Sequence, residues 1–215
     1  MNAVHLLESA SEARFNLRNE PVQARSTARL TALLDAAAVV IDKIGFERLT
    51  TAMVADGAGA SIGTVYRYFP DRIALLQALG ARNLDRILGR LGREVMSPKH
   101  PDLRSALAAS TAVVIDAYRT EPGFRGVRVG DSIDLRPAQS DHTFNSIVAD
   151  RLLDGLVSRF GIADTPELRL RCEAGYVAFD ALVHRAFLRD PRGHDEFLNL
   201  GRDAIYRAIE GHVKA

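Results

Sequence analysis

The sequence has a single cysteine, Cys172, and no tryptophan. One thiol permits no intramolecular disulfide and no cysteine-based zinc site, which fits a reducing compartment and sets redox chemistry aside. The six histidines, at positions 5, 100, 142, 184, 194 and 212, never stand four apart, so none forms a His-x-x-x-His pair on one helix face, and no metal is expected. Long apolar runs are missing as well. Ala36-Ala37-Ala38-Val39-Val40-Ile41 is among the longest, against the roughly 20 residues that a spanning helix needs, so no membrane partner is expected. The N-terminus sets Glu8, Glu12 and Arg14 close to its few apolar residues and lacks the basic-then-apolar pattern of a secretory leader. A cytoplasmic location is expected.

Charge of one sign is also lacking: 28 basic side chains stand against 27 acidic ones. That balance is an average. Residues 1–93 hold 12 basic and 9 acidic side chains, a net of +3, and residues 94–215 hold 16 and 18, a net of −2. A net of +3 suits well-placed contacts to an anion better than a strong diffuse field.

What is present is helical periodicity, with no convincing run of alternating β-branched and polar residues, and the fold class expected is all-α. Residues 1–23, with Pro21, are expected to form a flexible or loosely helical arm. A first helix over about 25–44 carries Leu30, Leu33, Leu34, Ala37, Val40, Ile41 and Ile44 at spacings of three and four, and Gly45 stops it. Thr50 or Thr51 can cap a second helix to about Ala58, with Gly59 ending it. Ser61 can cap a third to about Tyr68, which Phe69-Pro70 breaks. A long connecting helix over about 71–96 precedes Ser97-Pro98-Lys99-His100-Pro101, the clearest boundary in the chain. Beyond it, helices are expected over about 101–120, 139–160, 166–189 and 194–213, with 121–138 mostly loop and one short helical turn. The expected domains are the arm, a three-helix unit over 24–70, the connecting helix, and a C-terminal helical domain over 97–215.

Two short helices joined by a tight turn need small residues where they meet, and Ala55, Ala58 and Gly59 supply them. Val54, Ile62 and Val65 can fill the small core against the first helix. The second short helix then presents Thr64, Tyr66, Arg67 and Tyr68, residue types that reach phosphates and base edges in a major groove. The segment is a helix-turn-helix, and Thr50, Thr51, Ser61, Ile62, Gly63, Thr64, Tyr66, Arg67, Tyr68 and Arg72 are its candidate DNA-binding residues. It resembles the TetR family of transcriptional regulators, through Gly59, Thr64, Tyr66, Tyr68, Phe69 and Leu75. The resemblance implies phosphate contacts for Thr51 and Tyr66, and for Arg72 where lysine is more usual. Gly63 presents no side chain, leaving Thr64 and Arg67 as the main candidates for reading bases.

Gly59-Ala60-Ser61-Ile62-Gly63 also satisfies the G-x-S-x-G pattern of a hydrolase nucleophile elbow, but that motif needs a strand before its serine, and residues 53–58 are helical in pattern. A dinucleotide loop through Gly57, Gly59 and Gly63 fails on spacing and context. The helix from Pro166 is apolar over so much of its circumference that it must be covered on more than one side. With the last helix, it is expected to pair with the same two helices of a second chain. The resemblance implies such a homodimer on a palindromic double-stranded DNA operator, with a small-molecule effector held in the C-terminal domain. Tyr118, Phe124, Phe144, Tyr176 and Phe179 are candidates to line a largely apolar pocket, and Asn145, Asp180 and His184 to orient its ligand. No catalytic residues and no cofactor are expected. The alternatives are an all-helical enzyme with an apolar active-site cavity, which lacks any recognisable nucleophile and base spacing, or an activator of the same fold.

Overall fold

The computed structural model describes residues 20–129 and 143–211, with side chains from residue 24. Among the described residues there are helices and no strands. In chain order they are α1 (Glu20–Ile44), α2 (Thr51–Gly57), α3 (Ile62–Tyr68), α4 (Arg72–Val95), α5 (Leu103–Thr120), α6 (Phe124–Val129), α7 (Phe144–Phe160), α8 (Pro166–Phe187) and α9 (Asp195–Glu210). A single 3-10 turn, Phe46–Arg48, follows α1.

The chain divides into two compact units, and the division differs from the expected domains. The first unit takes residues 1–83 and 122–138, and the second takes 84–121 and 139–215. The helix expected to stand between domains is thus shared: Arg72–Asn83 of α4 belongs to the first unit and Leu84–Val95 to the second. Most of the expected arm lies outside the described residues, but Glu20 onward is helical, with Pro21 in the first turn, where its missing amide hydrogen costs nothing.

In the first unit, α1 turns Leu33, Leu34, Ala37, Ala38 and Ile41 inward. They meet Leu49, Val54, Ala55, Val65, Phe69, Leu75, Leu76 and Leu79. Burying each of the leucine, isoleucine, valine and phenylalanine side chains is worth about 1.5–3 kcal/mol. Arg82 of α4 pairs with Asp35 of α1 at 2.6 Å. Within the stretch expected to be mostly loop with one short helical turn, Phe124–Val129 forms α6, which packs on α1. Gly123, at φ 74°, permits this: its amide donates to Asp42 at 3.0 Å, and a Cβ there would lie 2.9 Å from the Ala38 backbone. A Cβ at Gly126 would meet Ile41 at 2.4 Å.

In the second unit, α8 and α9 pack against each other, α7 lies against α8, and α5 touches α7 and α9. Leu152, Leu156, Leu168, Cys172, Tyr176, Phe179, Val183, Ile205 and Ile209 are buried there. Close approach of the last two helices depends on missing side chains. A Cβ at Gly175 would sit 2.7 Å from the Ala208 Cβ, and one at Gly201 3.2 Å from the Phe179 ring. The start signal expected at Thr165-Pro166 is present, with the Thr165 hydroxyl accepting from the Leu168 amide at 3.1 Å. Arg86 and Arg90 of α4 pair with Glu121 and Asp116.

Candidate nucleic-acid interface

The two short helices are fixed at their starts by hydroxyl caps, each satisfying a first-turn amide that the helix itself leaves unpaired. Thr50, of the two threonines considered, caps α2, accepting from the Met53 amide at 3.2 Å. Ser61 caps α3, accepting from the Thr64 amide at 3.1 Å. Between them Gly59 takes φ 57°, a left-handed turn that glycine enters without steric cost. Ser61 therefore follows a helix and a turn, not the strand that a nucleophile elbow requires. Phe69 is extended before Pro70, and Asp71 then caps α4 through the Ala74 amide at 2.8 Å.

Helical geometry sorts α3 into two arcs. At about 100° per residue, Ile62, Tyr66, Gly63 and Arg67 fall within about 140° of one another and are all exposed. Ile62, expected to help fill the small core, is instead 49% exposed, and Tyr66 is 52% exposed, whereas Val65 on the opposite arc is fully buried. Thr64 belongs to the half-buried arc, with its hydroxyl 2.9 Å from that of Ser61.

The residues implied for phosphate contact come from three elements. Thr51, at the first turn of α2, donates its hydroxyl to the Tyr66 hydroxyl of α3 at 3.3 Å. Arg72, opening α4, donates to the Glu47 carbonyl at 2.7 Å, which steadies an exposed guanidinium. Tyr68 is half-buried and tied to α1, its hydroxyl 3.1 Å from the Ser26 hydroxyl. The Arg67 guanidinium lies over the Tyr68 ring at 5.3 Å, a cation–π contact that restrains the arginine. Ser26 was not among the candidate residues. Its position on the exposed side of α1 carries no local signal, and only the fold brings it to Tyr68. Arg25 and Arg29, exposed on the same helix, add positive charge to this unit and were also not singled out.

Comparison with known proteins agrees with this geometry. The family model for bacterial regulatory proteins, tetR family, matches residues 33–79, and that for the tetracyclin repressor-like C-terminal domain matches residues 101–210. The chain belongs to the TetR family. As a TetR-family protein, it joins an N-terminal helix-turn-helix to a C-terminal helical domain. It is 34% identical over 73 residues to the HTH-type transcriptional repressor KstR of Mycobacterium tuberculosis, covering 34% of this chain and 33% of that one. The chain thus spans about a third of that relative's length. Over 168 residues it is 27% identical to the nucleoid occlusion factor SlmA of Haemophilus ducreyi, covering 71% of this chain and 79% of that one. A TetR-family transcriptional regulator from Streptomyces coelicolor superposes with a TM-score of 0.72 at 28% identity, covering 88% of this chain and 99% of that one.

The candidate effector residues of this TetR-family regulator are not all in one place. Phe124 is buried in the first unit, apart from the C-terminal domain in which it was expected. The others lie in the second unit. Tyr118 stacks on Phe187 with ring centroids 5.0 Å apart, and Tyr176 and Phe179 are buried 5.6 Å apart. Asn145 of α7 donates to the Asp180 carboxylate of α8 at 3.2 Å, and Asp180 is itself buried. Phe144 and His184 are half-buried. Cys172 is buried, and desolvation pushes its thiol up to about 12, with the Asp150 charge adding to the effect. Among the described residues, no group of three or more His, Cys, Asp or Glu side chains is placed to hold a metal ion, and no helix is long and apolar enough to cross a membrane.

Proposed function

We propose that the protein is a homodimeric transcriptional repressor that binds a palindromic operator and is released by a small, largely apolar effector. The exposed arc of α3 carries the DNA-binding part of this reading. Its isoleucine, tyrosine and arginine stand on a helix whose other side is locked into a core, and Thr51 and Arg72 flank it with phosphate-directed groups. Thr50 and Ser61 act as caps that hold both helix starts in place.

The dimer rests on α8. Leu170, Ala174, Val177, Ala178 and Ala181 are all exposed along one side of that helix, Leu170 at 68% and Val177 at 46%. Leu200 of α9 is exposed as well. A row of this kind is costly in water and suits a self-complementary two-fold interface. A dimer offers two α3 helices to half-sites about one DNA turn apart.

For the effector, the buried aromatic group of Tyr118, Tyr176 and Phe179, with the Asn145–Asp180 pair beside α8, offers an apolar environment and one polar handle. Release requires that the effector bind the DNA-incompetent state more tightly, and DNA must then weaken the effector by the same factor. The test is a gel shift with the DNA upstream of the protein's own coding region, at rising salt, with and without a small molecule that raises the protein's thermal midpoint. The expected result is salt-sensitive binding that this molecule weakens. Binding indifferent to salt contradicts the DNA-reading part, and mutual indifference of DNA and small molecule contradicts the effector part.

A further inference from the structure

We propose that Ile62 reads the 5-methyl group of a thymine in each operator half-site, and that Gly63 clears the approach to it. This inference rests on the proposal that α3 is the DNA-reading helix. Three observations point to it. A large aliphatic side chain, 49% exposed, stands on the outward arc at the first turn of α3, where base edges are met in this motif. Beside it, a Cβ built on Gly63 meets only the Ser61 Oγ, at 3.8 Å, so the backbone there is bare and open to a close neighbour. The two hydroxyls at the same end are engaged with each other: Ser61 and Thr64 lie 2.9 Å apart, and the Ser61 oxygen also accepts the Thr64 amide. The leading turn of the helix therefore meets the groove with a hydrocarbon surface.

In a major groove the matching hydrocarbon is the thymine methyl, which adenine, guanine and unmodified cytosine do not offer. The exposed isoleucine pairs with a methyl-bearing base, while Arg67, about 140° around the helix, is left to read a guanine or a phosphate. Specificity is thus divided between an apolar and a charged contact on one short helix.

Deoxyuridine tests this, because it keeps the base pair and removes only the methyl group. An operator is first selected from a random duplex library with the full-length wild-type protein. Its thymines are then replaced by deoxyuridine one symmetric pair at a time, and affinities are measured for the wild type and for Ile62→Ala, with helical circular dichroism confirming that the variant is folded. At one symmetric pair the wild type is expected to lose about 15-fold, or about four-fold for each methyl removed from contact. Ile62→Ala is expected to bind the thymine and deoxyuridine duplexes of that pair equally. If no position separates the two proteins while the selected operator is still bound, or if the deoxyuridine loss is the same in both, the proposal is overturned and DNA reading by α3 stands. If the selection enriches no sequence, the DNA-reading proposal itself fails and this inference with it.

Discussion

The first unit buries a mainly aliphatic core and the second adds buried aromatic rings to its own, and the two leave different surfaces uncovered. The first exposes a compact mixture on the seven-residue α3: an isoleucine, a tyrosine, an arginine and a bare glycine. The second exposes a nearly uniform apolar row on the 22-residue α8. A polar, aromatic and aliphatic mixture held by caps suits a ligand with a fixed pattern of phosphates and base edges. A uniform apolar row suits a second copy of itself, for which shape and area matter more than pattern.

The contrast breaks most visibly at Val177. Placing a charge in the middle of the row by Val177→Glu sets like charges close together across a two-fold axis. Sedimentation is expected to show a folded monomer, and operator affinity is expected to fall by about 100-fold or more, since each head then binds alone. A variant that remains dimeric would move the interface off α8. The next effect is on stability. Gly123→Ala strains a positive φ and drives a Cβ against Ala38, so chemical denaturation is expected to show a loss of about 2 kcal/mol or more.

Tyr66→Phe removes the hydroxyl that Thr51 meets without touching the core. Affinity is expected to fall about five-fold across all DNA sequences, a loss of about 1 kcal/mol, with dimerisation unchanged. A loss confined to one operator would make Tyr66 a base reader instead.

Cys172 belongs to the second unit alone, and its effect is absent at neutral pH and appears only in alkaline solution. Its folded thiol stays protonated up to about pH 12, against an ordinary value of 9.0. Below about pH 9 both folded and unfolded chains hold the proton, and the thiol's stabilising contribution is fully present. As pH rises from there towards 12, only the unfolded chain releases it, so stability falls over that window. Cys172→Ala is expected to flatten this part of the alkaline limb, and the wild-type thiol to react with disulfide reagents at pH 8 only after unfolding.

Legibility followed the range of the interactions. The cap at Ser61, the break at Phe69-Pro70 and the start at Thr165-Pro166 are local, each decided within a few residues, and the sequence displayed them; for the second helix it left the cap open between Thr50 and Thr51. The helix-turn-helix could be read for the same reason. Contacts between distant segments could not. Gly123 fell in the stretch expected to be mostly loop because its partners, Asp42 and Ala38, lie some 80 residues away. The burial of Phe124 in the first unit and the Ser26 anchor of Tyr68 escaped notice on the same ground. On α3, residue type alone favoured Thr64 as a base reader. Its hydroxyl instead faces Ser61, and the exposed arc belongs to Ile62, Tyr66 and Arg67.

Binding of one palindrome by two heads through phosphate-directed cations predicts a definite salt dependence of operator binding at known stoichiometry. Two chains per duplex are expected, with log affinity falling linearly against log salt. Arg72→Ala is expected to reduce that slope by about two, one for each head. A single chain per duplex, or a slope that Arg72→Ala leaves unchanged, would contradict the claim.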